Sequence, residues 1–313
     1  MMHIKPFENK QLYGMENNFN EIINLYNKKK MPNKILLSGK KGVGKSTLAY
    51  HIINYILSID EEFKYDTQSF SINKDNRSYK LIQNHSHTNV YLIDLVEGKK
   101  SIDISQIREM ITYTNKSSFN DKPRFILIDN IENLNTNSIN ALLKIIEDPN
   151  DNVFFFLIHN NEKTILPTLK SRCLTFKINH SFEKSIQILN LLVTESVFDL
   201  INHDLISHYT TPGETINLIN FANEKKINLK EHKLKELINI LIDNAYYKKN
   251  KFVTSLIINF IELYFLKEYK ISTTKTAFLN IYHKFLDKIY YTKKFNLDEE
   301  SLFLEFKSKL LNG

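Results

Sequence analysis

The chain contains few of the residues that cross-link, break or loosen a fold. Its 313 residues include 1 cysteine, 7 glycines, 6 prolines and no tryptophan. The lone Cys173 can build neither a disulfide framework nor a cysteine-based zinc site, and it fits a reducing compartment. Because glycine and proline are scarce, we expect no long flexible linker between domains.

Long apolar runs are also missing. The longest apolar stretch, residues 252–266, is too short to cross a bilayer and contains Asn259 and Glu262, so it predicts a buried helix. The first residues lack the apolar core of a signal peptide. We therefore expect a cytoplasmic protein that does not contact a membrane.

The charge is moderately basic. Lys and Arg total 42 against 35 Asp and Glu, which gives a net charge of +7. The basic residues form scattered pairs and triplets that are typical of solvated helix ends, without a long basic tail. This excess permits contact with nucleic acid but does not identify it. The length predicts two or three domains.

The most informative segment is the run from Gly39 to Thr47. It reads Gly-Lys-Lys-Gly-Val-Gly-Lys-Ser-Thr and fits the phosphate-loop pattern, with an apolar strand before it and a helical pattern after it. The backbone N–H groups of such a loop wrap an anion at the positive end of the following helix. Lys45 is expected to reach the β- and γ-phosphates, and Ser46 to ligate Mg²⁺. A turn that binds nothing is the alternative, which the flanking strand and helix disfavour.

A phosphate loop needs an acidic partner for Mg²⁺ on a later strand, and Asp129 follows the apolar run 125–128. The next residue is Asn130, where many ATPases of this build have a glutamate that deprotonates the attacking water. An amide can hold a water molecule but cannot take its proton. Glu132 is expected to point elsewhere. We therefore predict nucleotide binding without efficient hydrolysis by this chain alone.

Five apolar runs separated by helical patterns predict a parallel sheet that is covered on both faces. Residues 60–89 are polar and predict an irregular insertion. After residue 178 only helical patterns follow. We predict an α/β fold followed by an all-α part, divided into a nucleotide-binding domain (1–178), a small helical lid (179–226) and a C-terminal helical bundle (227–313). The predicted strands are residues 35–37, 90–93, 125–128, 153–158 and 174–178.

Two later motifs make a family resemblance specific. Residues 140–149 read Asn-Ala-Leu-Leu-Lys-Ile-Ile-Glu-Asp-Pro, and residues 171–173 read Ser-Arg-Cys. Together with the phosphate loop and Asp129, they resemble the clamp-loader branch of the AAA+ ATPases. The resemblance covers the α/β part, whereas the helical remainder matches only in architecture. It implies an AAA+ P-loop parallel sheet sandwich, a helical lid and a C-terminal collar that serves oligomerisation.

The resemblance also implies residue roles. Arg172 is expected to be a finger that reaches the γ-phosphate held by a neighbouring subunit, which suits a planar and permanently charged guanidinium. An ordinary surface arginine is the alternative. The family's sensor-1 polar residue ends the fourth strand, where His159 and Asn160 are both candidates. Motor subunits carry a sensor-2 arginine near Gly213, but this chain has Glu214, whose carboxylate repels phosphates.

The candidate residues therefore form a nucleotide site in this chain, and one further residue is expected to act in the site of a neighbouring subunit. Arg172 is the candidate catalytic residue, acting in trans, and Ser46 and Asp129 are the candidate Mg²⁺ ligands. The candidate nucleotide ligands are Gly39, Gly42, Gly44, Lys45, Ser46, Thr47, Asp129 and Asn160. ATP with Mg²⁺ is the expected cofactor, and zinc is not expected.

The resemblance implies a stator subunit that completes a neighbour's ATP site. Its implied partners are motor subunits of gamma/tau type, a delta-type subunit and, through the complex, the sliding clamp and primer–template DNA, which is held mainly through its phosphates. The first alternative is the ATP-hydrolysing motor subunit of the same loader. More distant alternatives are an unrelated P-loop kinase or GTPase and a sequence-specific DNA-binding module.

Overall fold

The computed structural model describes residues 5–96, 99–116, 120–150, 152–207, 210–248, 250–271, 275–295 and 297–311. The chain divides into two compact units. The first comprises Met1–Leu192 and Thr211–Leu218, and the second comprises Val193–Thr210 and Ile219–Gly313. The division of the helical part into a lid (179–226) and a collar (227–313) stays a prediction.

The first unit contains a five-stranded, all-parallel sheet in the order β2-β3-β4-β1-β5. All five predicted strands are confirmed, and the α/β fold class with them. Because β4 lies between β1 and β3, the ends of these three strands meet at one edge of the sheet. The strands are β1 (Lys34–Ser38), β2 (Val90–Ile93), β3 (Arg124–Ile128), β4 (Val153–His159) and β5 (Leu174–Lys177).

Helices cover both faces of this sheet, so its central strands are apolar on both sides. In β3, Phe125 and Leu127 join the core on one face, whereas Ile126 and Ile128 join the core on the other face. Buried residues of α1 and α2 fill the first core, and those of α4 and α5 fill the second. The helices to this point are α1 (Glu16–Asn27), α2 (Lys45–Leu57), α3 (Arg77–Gln83), α4 (Ile104–Asn115), α5 (Thr136–Glu147), α6 (Pro167–Lys170) and α7 (Phe182–Val193).

The prediction of an irregular segment at residues 60–89 is wrong in one part. Helix α3 forms there because Asn76 caps it by accepting the N–H of Tyr79, and because Tyr79 and Ile82 are buried against the first core. The two buried apolar residues of so short a helix are too few for a helical periodicity to stand out in the sequence.

Within the residues that the structure describes, the second unit contains helices and no strand. Its most deeply buried side chains include Ile238, Ile257 and Phe303. No described helix of the chain combines the length and the apolar character needed to span a bilayer. The later helices are α8 (Val197–Leu200), α9 (Pro212–Lys225), α10 (Leu234–Asp243), α11 (Lys251–Ile271), α12 (Lys275–Phe295) and α13 (Glu299–Phe306).

One histidine is fully buried in the first unit. His51 of α2 lies between the hydroxyl of Tyr65, 2.9 Å from its Nδ1, and the carbonyl oxygen of Asn9, 3.0 Å from its Nε2. A carbonyl oxygen only accepts, so Nε2 carries the proton and Nδ1 accepts from the tyrosine. Burial lowers the pKa of His51 to about 4, against a small opposite effect of the Asn9 carbonyl.

This burial predicts a loss of stability in acid. The unfolded chain binds a proton at His51 near pH 6.5 and the folded chain only near pH 4, so the free energy of unfolding falls as the pH drops through this interval. We expect a loss of up to about 3 kcal/mol from this residue, measured by urea titration at several pH values.

His51→Gln replaces the imidazole with an amide that still offers a donor and an acceptor but does not titrate. The unfolding free energy of this variant should therefore depend less steeply on pH. His87, whose pKa is also lowered to about 4 by burial, is present in both proteins and cancels in the comparison. Equal pH dependence of the two proteins would contradict this interpretation.

Candidate nucleotide-binding site

The sheet brings the predicted binding residues to one edge. The phosphate loop follows β1, Asp129 follows β3, and Asn160 follows β4, which pairs with both of the other strands. In the register of the sheet, Ser38 lies opposite His159. Asp129 and Asn160, which are far from the phosphate loop in the sequence, therefore lie at the same edge of the sheet as that loop.

The carbonyl groups of the phosphate loop all bind donors inside the protein. Six consecutive carbonyl oxygens, from Gly39 to Gly44, each accept a hydrogen bond, and the donors come from α2, α9 and the segment after β5. The bonds are Lys45 Nζ to Gly39 O (2.9 Å) and to Lys40 O (2.6 Å), Thr211 Oγ1 to Lys41 O (2.7 Å), Gly213 N to Gly42 O (2.9 Å), His180 Nε2 to Val43 O (3.2 Å) and Leu48 N to Gly44 O (2.9 Å).

The backbone N–H groups of the same loop differ from its carbonyl groups in their hydrogen bonding. Within the described residues, the backbone N–H groups of residues 41–44 have no hydrogen-bond acceptor. Gly42 and Gly44 adopt φ angles of 80° and 96°, which residues other than glycine rarely adopt. These angles rotate the successive peptide planes of the loop relative to one another. Unpaired N–H groups at the start of a helix form a ready anion site, because the helix dipole adds to their positive charge.

Lys45 contributes a buried cation to this loop. Its side chain is 3% exposed. Burial lowers the pKa of Lys45 to about 8, and the nearby carboxylates of Asp129 and Glu132 oppose that effect. The ammonium group therefore keeps its proton at neutral pH, and it donates to the two loop carbonyls of Gly39 and Lys40.

Ser46 and Asp129 are brought together as the sequence predicts. The Ser46 hydroxyl donates to Asp129 Oδ2 at 2.5 Å, and the backbone N–H of Asn130 donates to Asp129 Oδ1 at 2.7 Å. Burial raises the pKa of Asp129, with a further contribution from the charge of Asp94. A hydroxyl and a carboxylate in contact are a suitable oxygen pair for Mg²⁺. Thr47 lies in the first turn of α2 and is buried.

Asn130 is held at both ends of its amide. Its Nδ2 donates to Asp94 Oδ1 at 2.6 Å, and its Oδ1 accepts from Asn160 Nδ2 at 2.8 Å. Glu132 turns its carboxylate to the backbone N–H of Asn160, with distances of 3.1 and 3.3 Å. Both groups are already hydrogen-bonded within the protein, so neither is available to take a proton from a water molecule.

The two sensor-1 candidates occupy different places. His159 bonds to Ser38 through Nδ1 at 3.2 Å and to the carbonyl of Lys163 through Nε2 at 2.9 Å. Asn160 instead joins the amide of Asn130 and is 8% exposed. The geometry favours Asn160 as the polar residue that belongs to the site.

The first turn of α9 packs directly on the phosphate loop. A Cβ atom on Gly213 would lie 2.7 Å from Gly42 Cα, so only glycine allows this approach of the two backbones. Glu214 does not reach out from the helix, because its carboxylate and the Thr211 hydroxyl each accept the other residue's backbone N–H, at 3.3 and 3.4 Å. Burial raises the pKa of Glu214.

The sequence interpretation missed Thr211 and Asp94 as parts of this site. A signal existed for Thr211, since a threonine three residues before a glutamate at a helix start is a capping box. Asp94 follows β2 directly, but nothing in the sequence indicated that it would bind Asn130.

Arg172 does not join the group around the phosphate loop. Its Nη1 donates to the carbonyl of Thr168 at 2.8 Å, and its Nη2 lies 2.7 Å from Glu147 Oε1. The guanidinium is about one-third exposed. Cys173 is half-buried beside it, and burial raises the pKa of the thiol to about 11, as expected for a packing residue.

Comparison with known proteins identifies the family of the chain. A family model described as "DNA polymerase III, delta subunit" matches residues 14–182, which is more than half of the chain. The chain belongs to this family. The match covers the phosphate loop, Asp129 and the Ser-Arg-Cys motif, and it confirms the resemblance inferred from them.

Individual relatives carry two kinds of name. The chain is 29% identical over 185 residues to DNA polymerase III subunit delta' of Buchnera aphidicola subsp. Schizaphis graminum, covering 59% of this chain and 54% of the relative. It is 30% identical over 202 residues to DNA polymerase III subunit gamma of the same organism, covering 64% and 50%. The matched part thus spans about half the length of these curated relatives.

Among solved structures, the chain is similar to a DNA polymerase III gamma subunit-related protein from Thermotoga maritima. The TM-score is 0.44 at 17% identity, covering 91% of this chain and 96% of that chain.

The packing of α9 on the loop predicts that Gly42→Ala is destabilising. The new Cβ would lie 2.4 Å from Thr211 Oγ1 and 2.9 Å from the Glu214 nitrogen, at a positive φ angle. We expect a loss of about 2 kcal/mol in unfolding free energy and faster amide exchange at Gly213, measured by hydrogen exchange.

Lys41→Ala serves as the control, since the exposed Lys41 side chain forms an ion pair with the exposed Glu162 and its loss should change stability little. Unchanged exchange at Gly213 in the Gly42→Ala protein would show that α9 does not depend on this contact.

Proposed function

We propose that this chain is a stator subunit of delta' type in a DNA polymerase III clamp loader. It binds Mg-nucleotide with little or no hydrolysis of its own, and it supplies Arg172 to the ATP site of a neighbouring subunit. The observation that carries the proposal is a contrast. Asn130, in the position of the water-activating residue, is bound at both ends of its amide, whereas Arg172 keeps most of its donors unused.

The residues around the phosphate loop fit a nucleotide. The unpaired N–H groups of residues 41–44, the buried ammonium of Lys45 and the Ser46–Asp129 pair offer donors and oxygen ligands of the correct kinds. Gly39, Gly42 and Gly44 let the backbone hold this shape, Thr47 is buried in the first turn of α2, and Asn160 follows β4 at the same edge of the sheet. Ser46 and Asp129 would hold Mg²⁺, which would supply positive charge to neutralise the phosphates.

The same residues support weak hydrolysis by the chain alone. Removal of a proton from water needs a group that can accept one, and the amide of Asn130 cannot. Glu214 stands where motor subunits have an arginine, and its carboxylate adds negative charge near Lys40 and Lys41 of the loop. Both features lower the stabilisation that a transition state would receive in this site.

Arg172 supports a role outside its own chain. Thr168 and Glu147 together occupy one side of the guanidinium, and at least three of its five N–H groups have no acceptor in the described residues. A partly exposed guanidinium with open donors can bind phosphate oxygens of another molecule in bidentate fashion.

The partners follow from the proposed subunit type. They are ATP-hydrolysing subunits of gamma/tau type and a delta-type subunit, and the assembly acts on the sliding clamp and primer–template DNA. The family match and the curated relatives named delta' and gamma support a place in such a complex. A cytoplasmic location is part of the same proposal.

A motor subunit of the same loader is the second candidate. The intact phosphate loop and the relative named gamma favour it. The two candidates differ in one simple measurement, the ATP turnover of the purified chain. Negligible turnover supports the stator, whereas turnover comparable to that of a loader motor would make this chain a motor subunit.

Arg172→Ala should lower the DNA-stimulated ATPase rate of the reconstituted assembly without disrupting the assembly. Comparable fingers change rates by roughly 10³–10⁵-fold, which sets an upper limit for one site among several. Arg172→Lys should restore only part of the rate, because an ammonium lacks the planar fork.

Arg108→Ala is the matched control, since Arg108 is exposed on α4 and has no proposed role. If an assembly that contains Arg172→Ala hydrolyses ATP at the wild-type rate, Arg172 does not act as an arginine finger.

Lys45→Ala should abolish nucleotide binding to the isolated chain, because it removes the buried cation of the loop. Binding of a fluorescent ATP analogue measures this directly, with Lys41→Ala as a control that changes an exposed lysine of the same loop. Retained binding after the Lys45 change would place the nucleotide elsewhere.

A further inference from the structure

Glu147 holds the guanidinium of Arg172 from a different element of the fold. Arg172 follows α6, whereas Glu147 is the last residue of α5, and their charged atoms lie 2.7 Å apart. The carbonyl of Thr168 binds the other terminal nitrogen of the guanidinium at 2.8 Å. The two contacts fix both the position and the plane of a side chain that otherwise has many rotamers.

Each element behind this pair is anchored in the same core. Leu169 of α6 is 1% exposed and belongs to the core on the α5 face of the sheet. Ile146, which precedes Glu147, is fully buried in that core. The carboxylate therefore lies at the end of a helix that is anchored in the core, and the guanidinium extends from a three-residue turn between α6 and β5.

Stability does not account for the pair. Glu147 is 54% exposed and Arg172 is 36% exposed, and exposed ion pairs of this kind contribute little to the free energy of folding. Glu147 contacts one terminal nitrogen, and among the residues that the structure describes the Nε–H group of Arg172 has no acceptor. A positioned guanidinium with open donors loses less rotational freedom when it binds a phosphate than a free side chain does.

We propose that Glu147 is a positioning residue for Arg172, which it orients toward the phosphates of the neighbouring subunit. This inference rests on the proposed function, because it assumes that Arg172 acts in trans. Glu147 itself touches no reacting atom. It acts by keeping the guanidinium in one orientation before the neighbour's nucleotide arrives.

The test uses the full chain in the reconstituted assembly. Glu147→Ala should lower kcat of the DNA-stimulated ATPase by roughly 10-fold, the scale expected for misplacement of a catalytic group, with KM for ATP little changed. Glu147→Gln keeps an oxygen acceptor and should recover part of the rate. Asp148→Asn removes the same charge from the adjacent exposed residue and should have no effect.

A double-mutant cycle separates positioning from a general structural effect. In the Arg172→Ala background, Glu147→Ala should cause no further loss, whereas damage to the fold or to the assembly would add to the first effect. Thermal unfolding of each variant checks stability independently.

Two failures are distinguishable. If Arg172→Ala leaves the rate unchanged, the proposed function fails. If Arg172→Ala lowers the rate but Glu147→Ala does not, or if the two losses add, the finger stands and Glu147 is not its positioning residue.

Discussion

The carbonyl groups of the phosphate loop bind donors within the protein, and the rest of the site depends on this constraint. The six oxygens from Gly39 to Gly44 accept from donors in α2, in residues 211–213 and at His180, and in the part of the chain that the structure describes the N–H groups of residues 41–44 have no acceptor. A loop with paired carbonyls and unpaired N–H groups attracts anions through its backbone alone. The first turn of α9 is part of this arrangement, because Gly213 approaches Gly42 more closely than any side chain would allow.

The structure separates two functions that one active site usually combines. Groups suited to phosphate and Mg²⁺ are present, but Asn130 follows Asp129 where a base is expected, and its amide is bound by Asp94 and Asn160. Arg172 lies apart from this site and retains open donors. Such a division is the basis of the proposal that this chain completes a neighbour's catalytic site.

Local patterns in the sequence were sufficient for much of this architecture. The five strands are continuous apolar runs because both faces of the sheet are covered, and the phosphate loop and Asp129 follow two of them directly. Contacts between distant segments could not be predicted in this way. The choice of Asn160 over His159, the packing of Gly213 on Gly42 and the pairing of Glu147 with Arg172 all depend on tertiary geometry. Helix α3 was missed because its few buried residues give too weak a periodicity.

The central claim is that Arg172 acts across a subunit boundary. Its most direct test is a structure of the assembled complex with a non-hydrolysable ATP analogue bound to the neighbouring subunit. We expect the Arg172 guanidinium to lie within hydrogen-bonding distance of the γ-phosphate held by that neighbour. A guanidinium that faces solvent, away from every bound nucleotide, would contradict the account.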